Sequence, residues 1–227
     1  MSRPRVTLHF AQSLDGRIAT RSGASRWISG PPATHFAHEL RAAAGAVIVG
    51  SGTAIADDPR LTVRHVSGPQ PLRVVLDGRA RLSASARLLT DGAAPTVHVT
   101  HGGVAAGSSP PHVERWALPA GPAGEGVDLG ALLARLEERG VAAVLVEGGR
   151  GVITSFLRAG LVDRLIVTIA PMIVGAGIDA VGDLATVRID QARRFATERV
   201  IRLGDDVILD LVPSAAPAVL DGRGGRS

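Results

Sequence analysis

Two glycine-rich turns are the features of this sequence most able to bind a ligand. Each follows a short apolar run typical of a buried strand, and their residues are Gly50-Ser51-Gly52-Thr53 and Glu147-Gly148-Gly149-Arg150. A glycine turn that leads from a strand into a helix leaves backbone N–H groups free to bind an anion such as phosphate. One such turn more often serves only backbone packing, but two together favour a dinucleotide lying across adjacent strand ends. Neither turn has the G-x-G-x-x-G spacing of a standard Rossmann enzyme, and the absence of lysine excludes a Walker A loop.

The carboxylate of Glu147 and the imidazole of His9 are the candidate acid–base groups. Glu147 directly follows the apolar run 141–146, so partial desolvation is expected to raise its pKa and suit it to donate a proton or to anchor a ligand N–H. The alternative, given equal weight, is a carboxylate that only interacts with the positive end of the following helix. His9 interrupts the first apolar run between Leu8 and Phe10, and either faces the same pocket or is an ordinary hydrogen-bonded strand histidine.

Two other polar clusters are predicted to be structural. Asp57 and Asp58 precede a proline, which is typical of a turn, and neighbouring side chains point apart rather than working as a catalytic pair. His35, His38 and Glu39 have a helical spacing that a metal could use. Because no further convincing ligand lies nearby, the cluster is predicted to be a solvated helix face, and no metal site is expected.

The composition argues against several classes of protein. The chain has no cysteine, which rules out disulfides, thiolate metal sites and a His/Cys/Cys zinc deaminase centre within it. All 25 basic residues are arginine, scattered among 21 acidic residues for a net charge of +4, which argues against a nucleic-acid-binding surface. Arginine instead suits a phosphate-bearing small ligand, through its bidentate fork. With no signal-peptide pattern and no apolar run long enough to span a membrane, we expect a cytoplasmic protein that contacts no membrane.

Short apolar runs alternate along the chain with helical patterns. The predicted strands cover residues 6–10, 46–49, 72–76, 96–100, 141–146, 165–170 and 207–211, with one short strand at 113–118 inside a Gly- and Pro-rich connection, and the predicted helices cover 32–44, 129–139 and 152–159. Strands that are apolar on both faces are typical of a mostly parallel sheet covered by helices, so an α/β layered domain is predicted. We expect one domain over residues 1–213 and a disordered tail over 214–227.

A series of short motifs, in order along the chain, resembles one known family. The motifs are Ser13-Leu14-Asp15-Gly16-Arg17-Ile18-Ala19, Ser25-Arg26-Trp27-Ile28-Ser29, Leu40-Arg41, Gly50-Ser51-Gly52-Thr53, Ala56-Asp57-Asp58-Pro59-Arg60-Leu61-Thr62-Val63-Arg64, Glu147-Gly148-Gly149 and Gly160-Leu161-Val162-Asp163. Together they resemble the reductase domain of bacterial bifunctional riboflavin-pathway deaminase/reductases. The resemblance implies a three-layer, dihydrofolate-reductase-like α/β fold with a central, mostly parallel mixed sheet, and a homodimer. It also implies a stand-alone reductase that uses NADPH to convert a 5-phosphoribosylamino-pyrimidine into its ribitylamino counterpart.

The resemblance further implies which residues form the site. For NADPH it implies contacts with Ala11, Trp27, Thr53 and Asp57 and, where the pyrophosphate meets the helix start, with Gly149, Arg150, Gly151, Val152, Ile153, Thr154 and Ser155. For the substrate it implies contacts with Ser25, Arg41, Leu61, Arg64 and Glu147. Arg41 and Arg64 are expected to grip the 5-phosphate.

The chemistry expected from this resemblance is hydride transfer from the nicotinamide to C1′ of the ring-opened ribose. Glu147 is the first candidate for holding or protonating the substrate, and His9 is the second. Three positions depart from the family: His9 stands where lysine is common, Gln12 where a small or apolar residue is usual, and Gly78 where a serine is often found. The departures at His9 and Gln12 keep one alternative open, a same-fold NADPH reductase acting on a pterin or a specialised-metabolite precursor. A second alternative, of another class, is a dinucleotide-binding protein without catalysis.

Overall fold

A computed structural model describes residues 3–26, 28–102, 110–124 and 126–214. In this part of the chain the strands are β1 (Arg5–Ser13), β2 (Arg17–Thr20), β3 (Ala46–Gly50), β4 (Leu72–Leu76), β5 (Thr96–His101), β6 (Val113–Leu118), β7 (Ala143–Glu147), β8 (Arg164–Ala170), β9 (Gly177–Asp179), β10 (Phe195–Leu203) and β11 (Asp206–Pro213). The α-helices are α1 (Pro31–Ala43), α2 (Ser51–Asp57), α3 (Arg87–Thr90), α4 (Leu129–Glu138) and α5 (Arg150–Arg158).

One nine-stranded sheet organises these elements, in the order β10-β11-β8-β1-β7-β3-β4-β5-β6. Neighbouring strands from β8 to β6 run parallel, while β11 and β10 join this sheet antiparallel. Strands β2 and β9 pair separately as a two-stranded sheet. The mostly parallel mixed sheet with helices confirms the predicted fold class.

Two cores lie on opposite faces of this sheet. Because successive side chains of a strand alternate between faces, the wholly buried β3 supplies both cores. Ile48 packs with Leu132 of α4 and Phe156 of α5 on one face, whereas Val47 and Val49 pack on the other face with the helices α2 and α3. The three layers follow from a strand sequence that is apolar at every position.

The predicted strands and the three predicted helices are present, with ends shifted by up to a few residues. The predicted short strand at 113–118 is β6. Three strands were not predicted, namely β2, β9 and β10, because the first two are short and β10 is exposed along most of its length. The predicted tail lies outside the described residues from position 215 onward. None of the helices in the described ranges is long and apolar enough to cross a membrane.

Arg73 on β4 is a buried cation whose side chain is 0% exposed. Its guanidinium donates hydrogen bonds to Thr96 Oγ1, Asp91 Oδ1 and the backbone carbonyls of Arg60, Leu88 and Ala94. A buried charge is tolerated when each donor finds an acceptor. Through the Arg60 carbonyl, Arg73 also fastens the segment that carries Leu61 to the sheet.

Candidate active site

The carboxyl ends of β1, β3, β4, β5 and β7 open into one cavity of about 1580 Å³. Gly50, Leu76, His101 and Glu147 line it where β3, β4, β5 and β7 end, and His9 lines it from within β1. Helices α1, α2 and α5 contribute further wall residues. In open parallel sheets, ligands bind at this edge. Typical small-molecule pockets measure roughly 300–1000 Å³, so this cavity has room for a dinucleotide beside a second ligand.

The two glycine turns lie side by side on the wall of this cavity because β3 and β7 are adjacent and parallel. The Gly149 N–H donates a 2.7 Å hydrogen bond to Thr53 Oγ1. A Cβ atom on Gly149 would lie 2.9 Å from that oxygen, and a Cβ atom on Gly50 would lie 2.6 Å from Val152 Cγ2. Real Cβ atoms do not approach so closely, so a larger residue at either position would require Val152 or Thr53 to move, and the two turns form a closely packed glycine cradle.

Helix α5 starts in this cradle. Gly149 is its N-cap residue, and no side chain caps the helix start. The N–H groups of the first helical residues have no partner within the helix, and Arg150, Gly151 and Val152 all line the cavity. The helix start therefore presents N–H donors and the positive end of the helix dipole to a bound anion.

Most of the predicted site residues are brought together on the wall of this one cavity. They are His9, Ala11, Ser25, Arg41, Thr53, Asp57, Leu61, Glu147, Gly149, Arg150, Gly151, Val152, Thr154 and Ser155. Ile153 is not on the wall: it is fully buried in the core, and its N–H donates to the Gly149 carbonyl. Trp27 lies outside the described residues.

Arg64 borders a neighbouring pocket of about 480 Å³ together with Arg60 and Arg87. Partial burial and the charges of Arg41 and Arg60 lower the pKa of Arg64.

The predicted turn after α2 is also present, since Asp58 follows that helix in a left-handed conformation with φ of 40°.

Arg41 and Glu147 form a bidentate ion pair. Arg41 Nε donates to Glu147 Oε1 at 2.6 Å and Nη2 donates to Oε2 at 2.7 Å. Burial lowers the pKa of Arg41, but the charge and hydrogen bonds of Glu147 raise it overall. In the structure, the Arg41 fork that was expected to grip a phosphate is thus taken by Glu147. Both carboxylate oxygens act as acceptors, which favours holding a ligand N–H over donating a proton.

His9 lies beside Glu147 in the parallel register of β1 and β7. Its Nε2 atom is 3.3 Å from Thr168 Oγ1, and its ring meets Phe36 edge to face. Burial lowers the pKa of His9 to about 4, with Glu147 raising it and Arg41 lowering it further. At neutral pH the ring is therefore an uncharged hydrogen-bonding group on the cavity wall.

The prediction that the histidine cluster of α1 is a solvated helix face is wrong for one residue. His35 and Glu39 are half exposed, as expected, but His38 is 1% exposed. The segment that follows Leu61 folds over this position, and the Arg64 N–H donates to His38 Nδ1 at 3.0 Å.

Within the described ranges, no cluster of three or more His, Asp or Glu side chains could hold a metal ion.

A basic end of the cavity was missed by the sequence reasoning. Arg79, Arg81 and His101 line it, where β4 and β5 end. Asp77 shapes the turn by accepting the Arg81 N–H, and Arg81 Nη2 donates to Ser51 Oγ at 2.8 Å. The sequence pattern that could have revealed this basic end is the run Asp77-Gly78-Arg79-Ala80-Arg81. It directly follows the apolar strand β4 and forms a third strand-to-glycine junction.

Comparison with known proteins places the chain in a family. The model of the RibD C-terminal domain matches residues 4–209. The riboflavin biosynthesis protein RibD of Aquifex aeolicus is 38% identical over 210 residues, which cover 91% of this chain and 57% of the relative. The 2,5-diamino-6-ribosylamino-4(3H)-pyrimidinone 5′-phosphate reductase of Methanothermobacter thermautotrophicus is 42% identical over 217 residues, covering 92% of this chain and 97% of the relative. The chain thus spans little more than half of the first relative and nearly all of the second.

Solved structures agree with this assignment. A deaminase/5-amino-6-(5-phosphoribosylamino)uracil reductase from Thermotoga maritima superposes with a TM-score of 0.80 at 32% identity, over 93% of this chain and 57% of that one. The riboflavin biosynthesis reductase Rib7 of Saccharomyces cerevisiae gives a TM-score of 0.75 at 26% identity, over 93% of this chain and 90% of that one. Dihydrofolate reductase from Enterococcus faecalis, at a TM-score of 0.55 and 13% identity, shares the fold. The chain therefore belongs to the RibD C-terminal domain family.

Proposed function

We propose that this chain is an oxidoreductase that uses NADPH to reduce the ribosyl group of a 5-phosphoribosylamino-pyrimidine to a ribitylamino group, a step of riboflavin biosynthesis. One observation carries the proposal: a single cavity contains both the glycine cradle, which suits a dinucleotide, and the Arg41–Glu147 pair, which suits a second polar ligand. The identity of the relatives supports it, since they include a ribosylamino-pyrimidinone 5′-phosphate reductase.

The residues present fit a nicotinamide dinucleotide. Glycine at positions 50 and 149 lets the side chains of Val152 and Thr53 pack directly against the two turns, which keeps the turns close together on the cavity wall. The helix start 149–152 would hold the pyrophosphate, with Thr53 fixing the turn. When bound, the cofactor supplies the hydride.

Preference for NADPH over NADH is supported by the basic end of the cavity. Arg79 and Arg81 lie there among Ser51, Gly52 and His101. A guanidinium suits a phosphate monoester because it offers two parallel N–H donors and a permanent charge. We assign these two arginines to the 2′-phosphate that distinguishes NADPH.

The second ligand would occupy the part of the cavity lined by His9, Arg41 and Glu147. Each carboxylate oxygen of Glu147 has a lone pair beyond the one taken by Arg41, so Glu147 can also accept an N–H from a pyrimidine. Reduction of the ring-opened imine places a hydride on C1′ and a proton on nitrogen. The uncharged His9 ring is positioned to donate or relay a hydrogen bond in that region.

Steady-state assays test this function. Purified protein is mixed with NADPH and 5-amino-6-(5-phosphoribosylamino)uracil, and loss of NADPH absorbance is followed, with the undeaminated diaminopyrimidinone ribotide and NADH run in parallel. Turnover with either ribotide supports the proposal and identifies the pathway order. Binding of NADPH without turnover on either ribotide would contradict it, and would favour another heterocycle or a non-catalytic binder.

We also propose a homodimer formed through the β10 edge of the sheet. Strand β10 is an edge strand, and an unpaired edge is a template for pairing with another chain. Val200 on β10 is 65% exposed and Val187, ahead of it, is 88% exposed. Sedimentation velocity is expected to give a dimer for the unmodified chain and a monomer for Val200→Asp. A monomeric unmodified chain would contradict the proposal.

A cytoplasmic location and a single domain over residues 1–213 remain predictions.

A further inference from the structure

The buried imidazole of His38 lies between the two parts of the proposed substrate site. On one side its Nδ1 atom is 3.0 Å from the backbone N–H nitrogen of Arg64. On the other side its Nε2 atom is 3.3 Å from Arg41 Nη1. The ring of His65 packs on it at 4.5 Å in an edge-to-face arrangement. His38 thus joins α1 to the 61–64 segment, together with Arg41, whose Nη1 donates to the Thr62 carbonyl.

Both ring nitrogens of His38 face N–H donors, although a neutral imidazole has only one acceptor nitrogen. The Arg64 amide is the closer donor, which places the ring proton on Nε2. Arg41 Nη1 then has its acceptor in the Thr62 carbonyl, 3.4 Å away. The His38 ring therefore lies beside Nη1 of the Arg41 guanidinium, while Nε and Nη2 bind Glu147.

The surroundings of His38 disfavour the protonated, charged form of its ring. Burial lowers the pKa of His38 to about 4, and the charges of Arg41 and Arg64 lower it in the same direction, against a raising effect of Glu147. The uncharged form keeps Nδ1 available as an acceptor. The 61–64 segment is thereby held to α1 by an acceptor that persists at neutral pH.

We propose that His38 is a positioning residue for the second-ligand end of the cavity: it fixes the 61–64 segment by accepting the Arg64 N–H at Nδ1, and its ring packs against the Nη1 side of Arg41. The role of this end as a ribotide site rests on the proposed function. No contact between His38 and a ligand is required, because Leu61, Arg41 and Glu147 line the cavity and His38 does not.

The kinetic test compares three variants. His38→Phe keeps a ring of similar size but loses both nitrogens, and is expected to raise the KM for the ribotide about tenfold, since the part-buried Arg64 N–H loses its acceptor and the 61–64 segment loses its anchor. The KM for NADPH should stay unchanged. His38→Asn restores an acceptor near the position of Nδ1 and should recover most of the ribotide KM. His35→Phe, one turn earlier on the exposed face of α1, is the control and should change neither constant.

Amide hydrogen exchange at Arg64 gives a readout that needs no substrate. Exchange should be faster in His38→Phe than in the unmodified chain, and slow again in His38→Asn. The proposal is overturned if His38→Asn is as impaired as His38→Phe, if the two KM values rise together, or if Arg64 exchange does not change. If the unmodified chain reduces neither ribotide, the proposed function fails while the exchange result still decides the role of His38. Should His38→Phe not fold, His38→Leu carries the same comparison with a smaller side chain.

Discussion

The guanidinium of Arg41 meets the carboxylate of Glu147 edge to edge, with Nε 2.6 Å from Oε1 and Nη2 2.7 Å from Oε2. This pair ties the middle of the proposed substrate region to both α1 and the end of β7. Each partner is about one-seventh exposed, so the charges are largely removed from water and depend on each other. Changing either one leaves the other buried without compensation.

Glu147→Gln is the most direct test of this pair in the reaction. The amide nitrogen of glutamine would face a guanidinium N–H, so the bidentate contact would be lost. We expect kcat for ribotide reduction to fall by about a hundredfold or more, in the range of a lost acid–base or positioning group, with little change in the KM for NADPH. Glu114→Gln, which removes an exposed partner of Arg139, is the matched control. Unchanged turnover in Glu147→Gln would remove this residue from the mechanism.

Arg81→Ala tests the assignment of the basic end of the cavity. Loss of a charge-assisted hydrogen bond to phosphate is expected to raise the KM for NADPH about tenfold, while the KM for NADH stays the same because NADH has no 2′-phosphate. Arg202→Ala, an exposed arginine on β10, is the control. Equal changes with the two cofactors would place the 2′-phosphate elsewhere.

Gly50→Ala tests the glycine cradle without any ligand. The new Cβ atom would lie 2.6 Å from Val152 Cγ2, and the overlap is expected to cost about 1–3 kcal/mol of unfolding free energy. Urea unfolding measures this loss, and Val152→Ala in the same chain should recover part of it. Gly52→Ala is the control, because its Cβ would meet no atom within 4 Å and alanine favours a helix. Equal stability of Gly50→Ala and Gly52→Ala would contradict the close packing of the cradle.

Stability is expected to fall as the pH is lowered from about 6.5 towards 4. Burial brings the pKa of both His9 and His38 from 6.5 to about 4, so in this window the unfolded chain binds more protons than the folded one, and stability rises with pH. The carboxyls of Asp77 and Asp210, with pKa values of about 2, act only at lower pH. Urea unfolding at a series of pH values should give a flatter curve for a His9→Gln/His38→Asn double variant. A flat curve for the unmodified chain would show that neither histidine is held uncharged.

Local patterns predicted the sheet and the glycine turns because their cause is local. A run such as Val47 to Gly50 is apolar at each position and can only be buried on both faces, and a glycine directly after it marks the turn. The Arg41–Glu147 pair joins residues 106 positions apart, and neither has a neighbour that signals the contact. His38 was misjudged for the same reason: helical spacing groups it with His35, while the segment that buries it follows more than twenty residues later.

The ring of His101 fills the space that a side chain at position 78 would need, since a Cβ atom on Gly78 would lie 2.5 Å from His101 Nε2. Because that atom belongs to the free end of an imidazole on the cavity wall, a larger residue at 78 requires the His101 ring to turn out of this space. The size of residue 78 therefore decides where the imidazole at 101 points, and a side chain introduced at 78 reshapes the basic end of the cavity through its neighbour.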